Sequence, residues 1–195
     1  TSKTQGIAKA ATIALNTETT ETHRKDMGVP IKDNKLDIEN TDLSIITVFE
    51  RHGVKGSKHT GLVKNLGITH GAIATTYAHD SHNLTVIGRN EEDMVLAANT
   101  LIQSGGGMVA VKDGKVLSHI TLPIAGLLSD KRMADVAVEL SHFRKTLKDM
   151  GVKSKVPIML LATLTLPVAP NIKITDLGIV DVVKKQFIDL IISEN

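Results

Sequence analysis

The dipeptide Asp113-Gly114 lies between two apolar runs in "GMVAVKDGKVLSHITLP". An Asp-Gly pair so flanked is the strongest short-range hairpin signal, because the turn that matches strand twist needs positive φ at both central residues. A hairpin commits its two strands to antiparallel pairing, and the chain shows few of the strand–helix–strand repeats that a parallel sheet requires. Other strands are expected in "GIAKAATIAL" (6–15), "SIITVFERHG" (44–53), "GAIATTYA" (71–78), "LTVIGR" (84–89) and "QFIDLII" (186–192). The segment 16–30 continues extended or loops out, 31–44 is polar and turn-rich, and "GVKGSKHTG" (53–61) reads as a loop.

Three helices interrupt this pattern. Asn90 is placed to cap the first, whose opening Glu91, Glu92 and Asp93 suit the positive end of the helix dipole. Its expected apolar face is Met94, Val95, Ala98, Leu101 and Ile102, and it stops at Gly105. A second runs from about Asp130, capped by Ser129, to Met150, with Gly151 just past its end. Met133, Val136, Leu140, Phe143, Leu147 and Met150 recur at spacings of three and four and form one stripe. Pro157 opens a short buried helix. The predicted class is α+β: a mixed, largely antiparallel β-sheet flanked by α-helices, as a single domain over residues 1–195.

Net charge is +2, from 23 basic and 21 acidic residues spread along the chain, with one Tyr, three Phe and no Trp. A nucleic-acid binder would concentrate basic residues on one face and add stacking rings, so that class is set aside. There is no cysteine, which removes disulfides, thiolate nucleophiles and Cys-based zinc sites. That fits a cytoplasmic protein. No apolar run approaches the ~20 residues needed to cross a bilayer. The longest, "VPIMLLATLTLPVAP", is cut by Pro157, Pro167 and Pro170 and reads as core. The chain begins at Thr1, so it is either processed or a piece of something longer.

Polar chemistry concentrates in "AHDSHN", between the apolar runs "GAIATTY" and "LTVIG". His79, Asp80, Ser81, His82 and Asn83 are more than a strand connection needs, and such loops commonly carry function. The imidazoles and carboxylate of His79, Asp80 and His82 are ligand types that zinc, manganese or iron accept. The same groups could hydrogen-bond a polar heterocycle or orient another domain's residues. The plainer alternative is that Asp, Ser and Asn satisfy turn backbone. At the end of the 44–53 strand stand Glu50, Arg51 and His52, a possible acid–base pair or a solvated strand end. Gly105 to Gly107 follow a helix, the reverse of the order in phosphate-binding loops, and read as backbone geometry. Neither H-x-H, H-E-x-x-H, G-x-S-x-G nor a P-loop occurs.

Six segments in order resemble the C-terminal domain of bacterial and archaeal adenine deaminases, of the amidohydrolase superfamily. They are "ERHG" (50–53), "GAIATTYAHDSHN" (71–83), "EDMVLAANTLIQSGGG" (92–107), "VKDGKVLSHITLPIAGLLSD" (111–130), "LTLPVAP" (164–170) and "TDLGIVDV" (175–182). The likeness is best over 44–187. The resemblance implies hydrolysis of adenine to hypoxanthine and ammonia, with a manganese or iron pair activating water. In that family the metal ligands, an H-x-H pair included, belong to a preceding (β/α)8 barrel that has no counterpart here. The resemblance therefore leaves the catalytic residues unassigned and implies an isolated chain without deaminase activity. Its implied partners are the barrel domain, adenine and further copies in a homo-oligomer, with no nucleic acid or membrane. His79, Asp80, Ser81, His82, Asn83, Glu50, Arg51 and His52 match the family motif and are expected to face the barrel's active site, touching substrate or metal-ligand neighbours. Two other readings stand beside it: a stand-alone purine-binding or regulatory module, and a structural domain joining subunits through the 133–150 stripe.

Overall fold

The computed structural model describes residues 1–194. In chain order the strands are β1 (Gln5–Leu15), β2 (Thr22–Lys32), β3 (Lys35–Leu36), β4 (Leu43–Phe49), β5 (Lys58–Lys64), β6 (Ala72–Thr75) and β7 (Leu84–Gly88). Helix α1 (Glu91–Gln103) precedes the hairpin of β8 (Gly107–Lys112) and β9 (Lys115–Thr121). Then come α2 (Met133–Asp149), α3 (Pro157–Thr163), β10 (Ile172–Thr175), β11 (Gly178–Asp181), β12 (Gln186–Ile188) and β13 (Ile191–Glu194).

The Asp113-Gly114 turn forms as its sequence dictates, with φ of 52° and 70°. Asp93 secures it. That buried carboxylate accepts from the amides of Asp113 (3.1 Å) and Gly114 (2.8 Å) and from the Asn90 side chain (2.9 Å). Asn90 Oδ1 in turn accepts from the Asp93 amide at 2.7 Å, so one cap fixes the start of α1 against the hairpin. Burial alone would raise the Asp93 pKa, but the bonds from Asn90, Gly114 and Asp113 outweigh it and hold the group ionised.

A ten-stranded sheet runs in the order β3-β2-β1-β5-β4-β7-β6-β8-β9, with β13 beside β1. Only β1 and β5 pair in parallel. The fold is α+β with a largely antiparallel sheet, as the hairpin foretells, and it contains no (β/α)8 barrel. One sheet face carries Ile13, Ile46, Val63, Ile73, Ile87 and Ile120 into the main core. Phe143 and Leu147 of α2, Leu160 and Leu161 of α3, and a small second sheet, β10-β11-β12, cover that face. The opposite face packs Ala72, Ala74, Leu84, Val86, Val109 and Val111 under α1.

Both long helices end in Schellman motifs. At α1 the Gly106 amide reaches Leu101 O and the Gly105 amide Ile102 O; at α2 Val152 reaches Leu147 O and Gly151 reaches Lys148 O. Helix α2 begins at Met133, three residues later than expected, because Ser129 Oγ closes a local turn on the Lys131 amide and does not cap the helix. Its stripe packs inward from Val136 to Met150, but Met133 lies exposed. The face of α1 is also rotated from expectation. Asp93, Ala97 and Leu101 are buried, whereas Val95 and Ile102 face solvent, because the Asp93 cap turns the helix.

Two strands escape sequence patterning. The segment expected as a loop contains most of β5, whose Gly61 is met at 3.0 Å from a would-be Cβ by Ile174 of the second sheet. Most of β2 lies in a segment left open between extended and looped; it pairs with β1 along its whole length, and its charged residues face outward. The "QFIDLII" run is two strands, not one: β12 pairs with β11, and β13 crosses to β1.

Lys173 in β10 is fully buried, and its ammonium meets only the Thr20 carbonyl, at 3.4 Å. Burial lowers its pKa from 10.5 to about 8. Below about pH 8 both folded and unfolded chains hold this proton, and the folded state carries the full cost of the buried charge. Between about 8 and 10.5 only the unfolded chain holds it, so this site makes stability rise with pH. Lys173→Met should therefore be more stable than the parent at pH 7, by up to about 3.5 kcal/mol, at roughly 1.4 kcal/mol per pH unit between about 8 and 10.5. Urea titrations should show the gap closing toward pH 10.5; a pH-independent gap would refute the account.

Candidate functional site

Because β4 ends at Phe49 and β7 begins at Leu84, and these two residues pair, the segments after and before them emerge side by side. The start of β8 at Gly107 and the end of β9 at Thr121 pair at the same end of the sheet. Segments 50–57, 76–83, 104–107 and 122–126 thus converge from distant parts of the chain.

Arg51 ties two of them to its own. Its Nε donates to His82 O at 2.5 Å, its Nη2 to Ala125 O at 2.7 Å, and its amide to Asn83 Oδ1 at 3.4 Å. The guanidinium lies on Gly126, where a Cβ would stand 2.9 Å from Nη2 and where φ is 72°. Burial lowers the Arg51 pKa, and no carboxylate pairs with it among the described residues. Thr76 brings in the fourth: its Oγ1 donates to Gly126 O (2.7 Å) and accepts from the Gly107 amide (2.8 Å). A cavity of about 240 Å³ opens beside Arg51 and Thr76, walled by Leu84, Leu101, Ile102, Gly105 and Gly106.

Glu50 and His52 do not form an acid–base pair. The Glu50 carboxylate accepts from the amides of His52 (2.5 Å), Val54 (3.2 Å), Lys55 (3.2 Å) and Gly56 (3.0 Å). These bonds, Gly56's foremost, hold its pKa below the ordinary glutamate value. The His52 ring meets Ser81 O at 2.7 Å. Glu50 shapes its own loop, and His52 braces the next.

Within the 79–83 loop the backbone is held at several points. The His79 amide donates to Ala162 O at 2.8 Å and its carbonyl accepts from Thr165 Oγ1 at 2.9 Å. The His82 amide closes on Ala78 O at 2.6 Å, and His82 sits in the left-handed region at φ 49°. Tyr77, His79 and His82 form an aromatic group, with ring centres 5.4 Å (Tyr77–His79) and 5.8 Å (His79–His82) apart. Burial, then the neighbouring His79 and Arg51 charges, push His82 below the ordinary histidine pKa, and its Nδ1 is buried without a partner. His82 is therefore a neutral imidazole at pH 7. Asp80 and Ser81 are exposed, while Asn83 is 3% exposed.

Sequence reasoning missed Asp176. Its Oδ1 accepts from Asn83 Nδ2 at 3.0 Å and its Oδ2 from Ser57 Oγ at 2.5 Å, so the β10–β11 turn clamps both loops. The "TDLG" stretch enters the sequence reading only within a segment shared with the family; only a contact across 93 positions reveals what Asp176 holds. As to metal ligation, no three His, Cys, Asp or Glu side chains are grouped to hold a cation among the described residues. His79, Asp80 and His82 as arranged do not fit a metal centre. They fit a surface offering hydrogen bonds from neutral and acidic groups.

Removing the clamp should free the loop. Asp176→Ala leaves the buried Asn83 amide without its partner, which costs about 1–3 kcal/mol. Hydrogen exchange at the His82 amide should accelerate in step; protection equal to the parent's would show that Asp176 does not hold the loop.

The family model for the adenine deaminase C-terminal domain matches residues 19–186, reaching further toward the start than the motifs at 44–187 suggest. An adenine deaminase of Clostridium botulinum (strain Langeland) is 43% identical over 186 residues, 95% of this chain and 31% of that protein. One from Moorella thermoacetica is 44% identical over 164 residues, 84% of this chain and 28% of its own length. One from Thermosipho melanesiensis is 46% identical over 156 residues, 80% of this chain and 27% of its own. The chain thus spans about a third or less of the relatives it matches. On these matches, which take in the histidine loop, the Arg51 segment and the Asp176 turn alike, the chain belongs to the adenine deaminase C-terminal domain family.

Proposed function

We propose that this chain works as the C-terminal part of an adenine deaminase, which hydrolyses adenine to hypoxanthine and ammonia. Within it, the 79–83 loop is turned toward the substrate or the groups around it. One observation supports this reading: the Asp80 carboxylate and the His79 ring stand at this end of the sheet without a hydrogen-bond partner among the described residues, while Glu50, Arg51, His52, Asn83 and Asp176 are consumed in fixing the loops. The residues present supply hydrogen bonds and a neutral imidazole. The attacking water and the manganese or iron that would activate it belong to another part of the enzyme. The exocyclic amine leaves as ammonia, and the side chains here steady the ring.

The isolated chain, supplied with manganese or iron, should release no ammonia from adenine. Turnover lost in His79→Ala would make this loop a complete active site and overturn the reading. In an intact adenine deaminase carrying this chain as its matched stretch, His79→Ala with His82→Ala should cut kcat/KM about 10–100-fold, as loss of outer-shell partners does. Circular dichroism should be unchanged. Parental kinetics in that variant would refute the placement.

The cavity of about 240 Å³ beside Arg51 supports a second reading, a purine-binding regulatory module. It predicts that adenine or hypoxanthine raises the melting temperature of the isolated chain, an effect lost in Arg51→Met.

A further inference from the structure

We infer that the outer face of the small sheet, with the groove joining it to the 79–83 loop, is the docking surface for the remaining two thirds of an adenine deaminase chain; this rests on the function proposed above.

Ile174 and Ile179 turn the inner face of the β10-β11-β12 sheet into the core. Strand alternation and register then place Lys173, Val180 and Phe187 together on the outer face. Lys173 is roofed by the β1–β2 turn, whose Thr20 carbonyl it meets. No described residue roofs Phe187. Of the chain's one Tyr and three Phe it alone is exposed, at 63%, and Leu177 beside it is 58% exposed. The ring is nonetheless fixed, because it lies over Gly178, where a Cβ would stand 2.7 Å from Cδ1. A preset aromatic side chain loses little freedom on binding, which is what an interface anchor requires.

A groove of about 470 Å³ runs from Phe187, Leu177 and Pro167 to Asp80 and Ser81. The Asp80 carboxylate has no hydrogen-bond or ion-pair partner among the described residues. An apolar anchor beside an unpaired acid fits a partner surface offering an apolar pocket and a Lys or Arg at its rim. The relatives sharing this stretch are more than three times its length, since the match covers 31% and 28% of two of them. In such a chain a larger body is joined to this one, and this groove runs from the exposed ring to the histidine loop.

The test is a hybrid in which this chain replaces the matched stretch of the Clostridium botulinum relative, followed by calorimetry. In the hybrid this chain's unfolding transition should lie about 2–4 °C or more above that of the chain alone, the shift expected for a kcal/mol or so of coupling in a domain of this size. Phe187→Ser with Leu177→Ser should return it to the free-chain value. Val95→Ser with Ile102→Ser, exposed apolar positions on α1, should not. The same variants in the free chain should melt as the parent does, which separates lost docking from lost folding. No coupling in the parental hybrid, coupling that survives the Phe187 pair, or coupling lost equally with the α1 pair would overturn the proposal. So would self-association of the free chain that depends on Phe187, which would make the occupant a second copy. Coupling without any dependence of deamination on His79 and His82 would sink the proposed function and leave the docking surface standing.

Discussion

A guanidinium without a carboxylate holds the functional end of this sheet together. Arg51 follows the last residue pair of β4 and spends its donors on two carbonyls, His82 O and Ala125 O, from loops 31 and 74 positions away. A half-buried cation is costly unless its donors are met, and carbonyl oxygens meet them with partial charge only. The arrangement works because Gly126 has no side chain and the guanidinium can lie flat against its backbone. Thr76 repeats the theme with a neutral group, bridging Gly126 and Gly107. Gly106 and Gly107 are required here for approach, not for phosphate: a Cβ at Gly107 would stand 2.0 Å from Ile120 O, whereas one at Gly105 would meet nothing within 4 Å.

This anchoring sets the chemistry of the histidines. With its carbonyl committed to Arg51 and its amide to Ala78, His82 is held in the left-handed region that a non-glycine residue adopts only under constraint. Its ring is half-buried against Tyr77 and His79, with only its Nδ1 sealed from water, and lies next to a cation. Burial and like charge both oppose protonation, so the group stays neutral where an exposed histidine would begin to charge. A neutral imidazole donates from one nitrogen and accepts at the other, as a heterocyclic substrate or a partner's metal ligand would require.

The parts of the fold that are legible in the sequence are those decided locally. The Asp113-Gly114 turn, the Asn90 cap, Gly151 after α2 and Pro157 at the start of α3 each need only a few neighbouring residues. What the sequence hides is decided at a distance. The strand character of β5 is diluted by Gly61, whose use is to admit Ile174 from the second sheet. The run 186–192 has one hydrophobic pattern but two partners, β11 and β1, and nothing in the pattern marks the switch. On α1 the apolar periodicity supports more than one face, and the choice is made by a charged residue, Asp93, buried to hold a hairpin.

The candidate site divides the same way. Its residues are recognisable by density alone, since a six-residue stretch with two imidazoles, an acid, a hydroxyl and an amide exceeds what a turn needs. Their division of labour is not. Glu50 and His52, adjacent to Arg51, look in sequence like an acid–base pair, yet four backbone amides consume the Glu50 carboxylate and the His52 ring supports Ser81. Asn83 looks like a turn residue and is instead locked between Arg51 and Asp176. The Asn83 amide and the backbone of His79 and His82 thus serve to bring distant segments to one place, in a chain with few aromatic residues to wedge them. The Asp80 carboxylate and the His79 ring, which no bond among the described residues satisfies, have their chemistry left for something outside the chain, while the His82 Nδ1 is sealed from it as the loop stands.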